Sequence, residues 1–427
     1  MKRLFTDKRT RKNCEIYQML VGKNRDKHLS FHTPGHKIKG WDITELSYSD
    51  NLSSPTGCIK KAQEDIAQIL GAKKSFILTD GSTSGVLSML HSAKSLGVKT
   101  LAFPVRSHKS VYNACDLLGL IPQPFDTGSL DGKPTAPTVE EVKTALKTAD
   151  ALLLTSPDYY GNIPNLRAIR RLCDEQGKLF LIDGAHGGHL HFDKEIYAGA
   201  YADFWVDGVH KSLPAFTQGA VVSARTESYA NALEKSVDIF RTTSPSYPIM
   251  ASVEYAVKYP QNTILAQKTV EFCRKYPDFV TLNSDWTKLC VRVNDGFRIE
   301  KQLENEGFYA EFCDGSVIMF YLSPAMKLKQ FNALKKRLER LFANETPCDF
   351  DNKPRGKRFE ISDAAETELL PLNESENKIC ARTCGLFPPC EPLIVRGEKI
   401  TQEKLDLLQT ADNTFGLTDG KILVIKV

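Results

Sequence analysis

Short, almost wholly apolar segments recur between residues 75 and 223, and a helical pattern separates most of them from the next. Ser75–Thr79, Thr100–Pro104, Ala151–Thr155, Leu179–Ile182, Phe204–Val206 and Ala220–Ser223 read as strands. Lys61–Leu70, Ser84–Leu96, Ser110–Leu118, Thr138–Lys147 and Asn165–Gln176 read as helices. A strand that is apolar on both faces must be buried on both. Buried strands joined through helices form a mainly parallel sheet covered on each side. The pattern therefore predicts an α/β fold built on a mainly parallel central sheet.

At 427 residues the chain is too long for one ordinary core. Residues 1–50 carry one helical pattern (Cys14–Val21) and otherwise read as a polar arm, and residues 51–270 read as the large domain. After about residue 270 the pattern changes. Strand segments Leu289–Val293 and Ser316–Leu322 alternate with helical segments Phe297–Glu306 and Lys327–Phe342, which predicts a smaller C-terminal α+β domain over 271–427. Residues 344–377, rich in Pro, Asn, Asp and Glu, are expected to loop out.

Charge and cysteine usage narrow the function classes. A net charge of +4 on a chain of this size gives no basic surface that predicts nucleic-acid binding. No stretch approaches the roughly 20 apolar residues of a membrane span, and the basic start has no apolar run behind it to make a secretory signal. Eleven cysteines without CxxC pairs predict reduced thiols and a cytoplasmic location. Cys380, Cys384 and Cys390 cluster without a second pair or a histidine at ligand spacing, so no metal is expected there.

In open α/β sheets, ligands sit at the carboxyl ends of the strands. After Ser75–Thr79 comes Asp80-Gly81-Ser82-Thr83-Ser84-Gly85, a glycine and hydroxyl cluster that opens a helix. Such a cluster either cups a phosphate or simply caps the helix. After Thr100–Pro104 comes His108, able to stack on a planar ring or to face solvent. Leu179–Ile182 runs into Asp183-Gly184-Ala185-His186, where a buried carboxylate needs a partner, such as a ring nitrogen or a metal. Phe204–Val206 runs into Asp207-Gly208-Val209-His210-Lys211, where a desolvated lysine becomes a usable amine nucleophile. Lys211 follows Asp183 by 28 residues, on successive strand ends. A carboxylate for a pyridine nitrogen, a lysine for an aldehyde and a hydroxyl-rich helix start for a phosphate are the three handles that pyridoxal 5′-phosphate (PLP) requires.

These pieces resemble the class-I ornithine/lysine/arginine decarboxylase family in its short form, which has the PLP-dependent transferase fold of aspartate aminotransferase. The resemblance runs over residues 30–260, with a weaker echo at 386–398. It is carried by Thr33-Pro34-Gly35-His36-Lys37, Ser54–Ile59 with Ala62-Gln63, Gly81–Ser84, Ser107–Ser110, Asp183–Gly187, His210–Gly219 and Thr243–Tyr247. It implies that Lys211 binds PLP as a Schiff base and that Asp183 pairs with the pyridine nitrogen. His108 would stack on the ring, with His186 near the ring or the substrate. Gly81, Ser82, Thr83 and His210 would hold the phosphate. It also implies a homodimer, or a higher oligomer of dimers, with the active site at the subunit interface. There Thr33–His36 and Ser244–Tyr247 would serve the neighbouring site, Ser244 among the cofactor contacts.

Three positions depart from the family pattern. Gly208 stands where a serine is usual, Gly184 where an acidic residue is usual, and Phe387-Pro388-Pro389-Cys390 where Tyr-Pro-Pro-Gly is usual. The implied reaction is decarboxylation of arginine, lysine or ornithine to its amine. Glu391 is a candidate, on position only, for meeting the substrate's far cation. The alternatives are transamination or a desulfurase-type reaction on the same fold, with Arg382 available for an α-carboxylate, and a non-catalytic amine-binding paralogue.

Overall fold

The structure is a computed structural model that describes residues 4–23, 29–130, 133–348, 365–387, 390, 392–411 and 413–426. Its centre is a seven-stranded sheet: β1 Lys74–Leu78, β2 Thr100–Pro104, β3 Ile121–Phe125, β4 Ala151–Thr155, β5 Leu179–Gly184, β6 Phe204–Asp207 and β7 Ala220–Ala224. The strand order is β1-β7-β6-β5-β4-β2-β3. Only β7 runs against the others, pairing antiparallel with both β1 and β6. Two buried clusters, one per face, sandwich the sheet. The sheet is therefore mainly parallel with helices on both faces, because its strands are apolar on both sides.

The helices form for local reasons. Cys58–Leu70 buries Ile59, Ala62, Ile66 and Leu70 at helical spacing and ends on Gly71 in the left-handed conformation (φ 72°). Its amino end is tied from outside by Asp50, whose carboxylate accepts from the Gly57 and Ile59 N–H groups. Val139–Ala145 opens on a capping box between Thr138 and Glu141. Among the described residues no helix is long and apolar enough to cross a membrane.

Beyond the large sheet, the two largest further cores among the described residues lie in the second half of the chain. One surrounds a four-stranded antiparallel sheet of β8 Val280–Thr281, β9 Lys288–Arg292, β10 Phe312–Cys313 and β11 Val317–Tyr321. The other gathers Cys380, Cys384, Ile394, Leu405 and Val424 near the C-terminus. Residues 344–377 do not simply loop out. Residues 349–364 lie outside the described residues, but Thr367–Pro371 is a strand paired antiparallel with Lys421–Ile425. Its partner is some fifty residues away, so no local pattern announces it.

Candidate active site

The carboxyl ends of β1, β2, β4, β5 and β6, with the amino end of the reversed β7, enclose a cavity of about 260 Å³. Gly81, Ser82, Thr83, His108, Asp183, His186, His210 and Lys211 all line it. Residues from four separate stretches of chain are thus brought together as the strand-end rule requires.

Lys211 lies in the one-turn helix Val209–Ser212 after β6, with its Nζ 3.2 Å from Nε2 of His186. Desolvation lowers its pKa, while the carboxylates of Asp183 and Glu311 oppose the shift. Asp183 is buried, which pushes its carboxyl up against the pull of Lys211, and it accepts the Ala185 N–H at 3.1 Å. Burial first, then the charges of Lys211 and Lys288, hold the pKa of His186 well below its usual value, so the ring is neutral. The ring is wedged edge-on between Tyr159 at 4.6 Å and Tyr321 at 5.7 Å.

His108 caps the helix Lys109–Leu118, its Nδ1 accepting the Ser110 N–H at 3.1 Å. Burial brings its pKa down to about 3, which keeps the ring neutral and its flat face available for stacking. His210 bonds through Nδ1 to the Gly219 carbonyl at 2.9 Å, and burial lowers its pKa as well. At the start of the helix Gly81–Ser95, Gly81 takes a φ of 79° and gives its N–H to the Gln218 carbonyl. Among the described residues, the hydroxyls of Ser82 and Thr155 and Nδ1 of His186 are buried without a hydrogen-bond partner. Unpartnered buried polar atoms around one cavity call for a polar ligand. Together with the helix start, the carboxylate and the lysine, this donor set fits PLP.

Ser244 is placed elsewhere. It is exposed on the loop before the helix Tyr247–Val257, its N–H on the Thr242 hydroxyl, and it does not line this chain's cavity. Tyr247 is fully buried and donates to the Asp50 carbonyl at 2.6 Å, which holds it inside its own chain. Arg382 is exposed in the C-terminal unit and bonds to the Gly416 carbonyl and the Thr418 hydroxyl, away from the cavity. Pro388, Pro389 and Glu391 lie outside the described residues.

Two of the departures have physical reasons, and the third does not. A Cβ on Gly208 would stand 2.3 Å from the Ala185 carbonyl oxygen and 2.8 Å from the Ser82 hydroxyl. The room a serine would need is filled by neighbouring backbone and by another hydroxyl. A Cβ on Gly184 would meet the Val206 carbonyl at 2.9 Å and Asp207 Oδ1 at 3.2 Å. Cys390 adopts a φ of 64°, the left-handed region in which the family's glycine is at ease.

The structure adds groups that sequence reasoning missed. Arg106, Thr155, Tyr159, Thr217 and Gln218 also line the cavity, and the strand-end rule applied to Ala151–Thr155 points to Tyr159. A buried clamp from the second unit reaches the loop after β5. Lys288 Nζ lies 2.7 Å from Asp285 Oδ2, 3.2 Å from the His186 carbonyl and 3.0 Å from the Tyr321 hydroxyl. His189 Nε2 contacts Asp285 Oδ1 at 2.8 Å. Burial raises the Asp285 carboxyl, but His189 and Lys288 overcome it and hold it far below its usual range. His191 bonds instead to the Gly188 carbonyl. Among the described residues no three His, Cys, Asp or Glu side chains are placed to hold a metal ion.

Fold and cavity define the class, an α/β protein of the PLP-dependent transferase type. Lysine decarboxylase A from Pseudomonas aeruginosa has a similar fold, with a TM-score of 0.74 and 15% identity, covering 97% of this chain and 80% of that one. The family model for the Orn/Lys/Arg decarboxylase major domain matches residues 39–290, and the chain belongs to that family of amino-acid carboxy-lyases. It is similar to an uncharacterized Bacillus subtilis protein, YaaO, at 29% identity over 93% of this chain and 94% of the relative. It is also similar to an arginine decarboxylase of Bacillus anthracis, at 27% identity over 92% of each.

Proposed function

We propose that this protein removes the α-carboxyl group of a basic amino acid (arginine, lysine or ornithine) as CO₂ and releases the amine, using PLP held at Lys211. The observation that carries the reading is the meeting of Lys211, Asp183, His108 and the Ser82–Thr83 helix start on one cavity in a chain of this family. Lys211 would hold the cofactor's aldehyde carbon, Asp183 its pyridine nitrogen, His108 its ring face, and Ser82, Thr83 and His210 its phosphate. When bound, PLP supplies a ring that takes up the electron pair left by departing CO₂.

The chain's own groups prepare that chemistry. Asp183, a buried carboxyl lining the cavity, would pair with the pyridine nitrogen of bound PLP and favour a proton there. Desolvation lowers the pKa of the Lys211 amine, which leaves it readier to shed its proton. Neutral His186, 3.2 Å away, is the group that can hold or pass that proton at Nζ. We also infer a homodimer in which the arm completes a neighbouring site, since Leu29, Phe31 and Ile38 stand 83%, 90% and 71% exposed on the single chain. Transamination remains the second reading on one observation, the guanidinium-bearing Arg106 in the cavity lining.

Incubating PLP-loaded protein with each basic amino acid, labelled at the carboxyl carbon, tests the proposal. Labelled CO₂ and the matching amine are expected from at least one of the three. A 2-oxo acid without CO₂ supports transamination instead, and no product from any substrate overturns both readings.

A further inference from the structure

A basic substrate carries a second cation beyond its α-amino group, and the cavity must meet it. Most carboxylates around the site are already engaged. Asp183 and Lys211 both line the cavity and feel each other's charge. Asp158 accepts from the Tyr160 and Asn162 N–H groups and from the Asn162 amide. Asp207 accepts the Tyr197 hydroxyl at 2.6 Å, and Asp285 lies between Lys288 and His189. Asp314 takes the N–H groups of Ser316 and Val317 and the Tyr160 hydroxyl.

Glu311 differs. Among the described residues its carboxylate makes no ion pair and takes one side-chain hydrogen bond, from the Tyr159 hydroxyl at 2.9 Å, where Asp158, Asp183, Asp207 and Asp314 are buried or take several. Tyr159 ties it to the cavity, since the ring lines the cavity wall and packs on both His186 and Phe312. The backbone is set as well, because the Glu311 N–H bonds to the Met319 carbonyl at the edge of the four-stranded sheet. Its charge is felt at Lys211 and at the Tyr321 hydroxyl, which places it just behind the Tyr159 wall rather than in the cavity lining itself. It is also exposed, which leaves it open to an incoming cation.

We propose that Glu311, oriented by Tyr159, receives the distal ammonium or guanidinium of the substrate and makes this site select basic over neutral amino acids. The proposal rests on the decarboxylase reading above. It moves to a residue of the second unit the role that position alone suggested for Glu391.

Glu311→Gln keeps the side chain's shape and the bond from Tyr159 but removes the charge. In steady-state kinetics of the PLP-loaded enzyme, KM for the best basic substrate should rise about tenfold or more, the scale of one lost hydrogen bond between charged groups. The kcat value and the cofactor's absorbance should stay near wild type. Norleucine and citrulline, the neutral counterparts, should lose nothing relative to wild type, and Glu311→Asp should recover part of the loss. An unchanged KM in Glu311→Gln, or equal losses on charged and neutral substrates, overturns the proposal while leaving the decarboxylase reading intact. A wild-type enzyme inactive on every basic amino acid overturns both.

Discussion

His108 does two jobs with one ring, and they can be separated. Nδ1 caps the helix Lys109–Leu118, and the neutral ring lines the cavity, where it would stack on bound PLP. Its folded pKa of about 3 lies below the usual 6.5, so between those values the unfolded chain binds the extra proton. The stability it contributes is therefore complete above pH 6.5 and is lost as pH falls toward 3. His108→Asn keeps a capping acceptor and removes the titration. Calorimetry of the cofactor-free proteins should show the variant gaining on wild type between about pH 7 and about pH 5. PLP affinity should weaken up to about tenfold, the scale of one ring–ring contact. A melting-temperature gap that does not change with pH contradicts this account. At this scale the sequence showed Lys211, Asp183 and His108 because each closes an apolar strand. Glu311 was hidden, because its place beside Tyr159 depends on two chain segments about 150 residues apart.

Gly208 shows how one element limits another. From sequence it reads as a missing hydroxyl, but β6 approaches the loop after β5 so closely that a Cβ would collide with the Ala185 carbonyl. Gly208→Ser should therefore cost about 1–3 kcal/mol, the usual penalty for overpacking, and should not tighten PLP binding. Denaturant midpoints and a PLP titration check both halves. Tighter binding at unchanged stability would show that the hydroxyl was simply absent. The other strands were legible because buried strands are apolar throughout, and β2 and β4 fall on their expected bounds. β3 was not, because Ile121-Pro122-Gln123-Pro124 carries two prolines. Proline is tolerated there because β3 is an edge strand. The Lys288–Asp285 clamp was equally silent, since a buried ion pair looks like surface charge in one dimension.

The whole molecule joins the carboxyl ends of the large sheet, where the cavity lies, to a second unit that reaches it through Lys288, Tyr321 and Glu311. The large sheet could be read from the chain because its signals are local and repeated. The second and third cores could not be separated, because strands such as Thr367–Pro371 and Lys421–Ile425 find each other only in three dimensions. Every role proposed for the cavity follows from PLP being held at Lys211. Borohydride reduction of the PLP-loaded protein, followed by peptide mass mapping, tests this most directly. The added mass of reduced PLP should fall on Lys211 and vanish in Lys211→Ala. The same mass on Lys109 or Lys288, or on no lysine at all, would contradict the account.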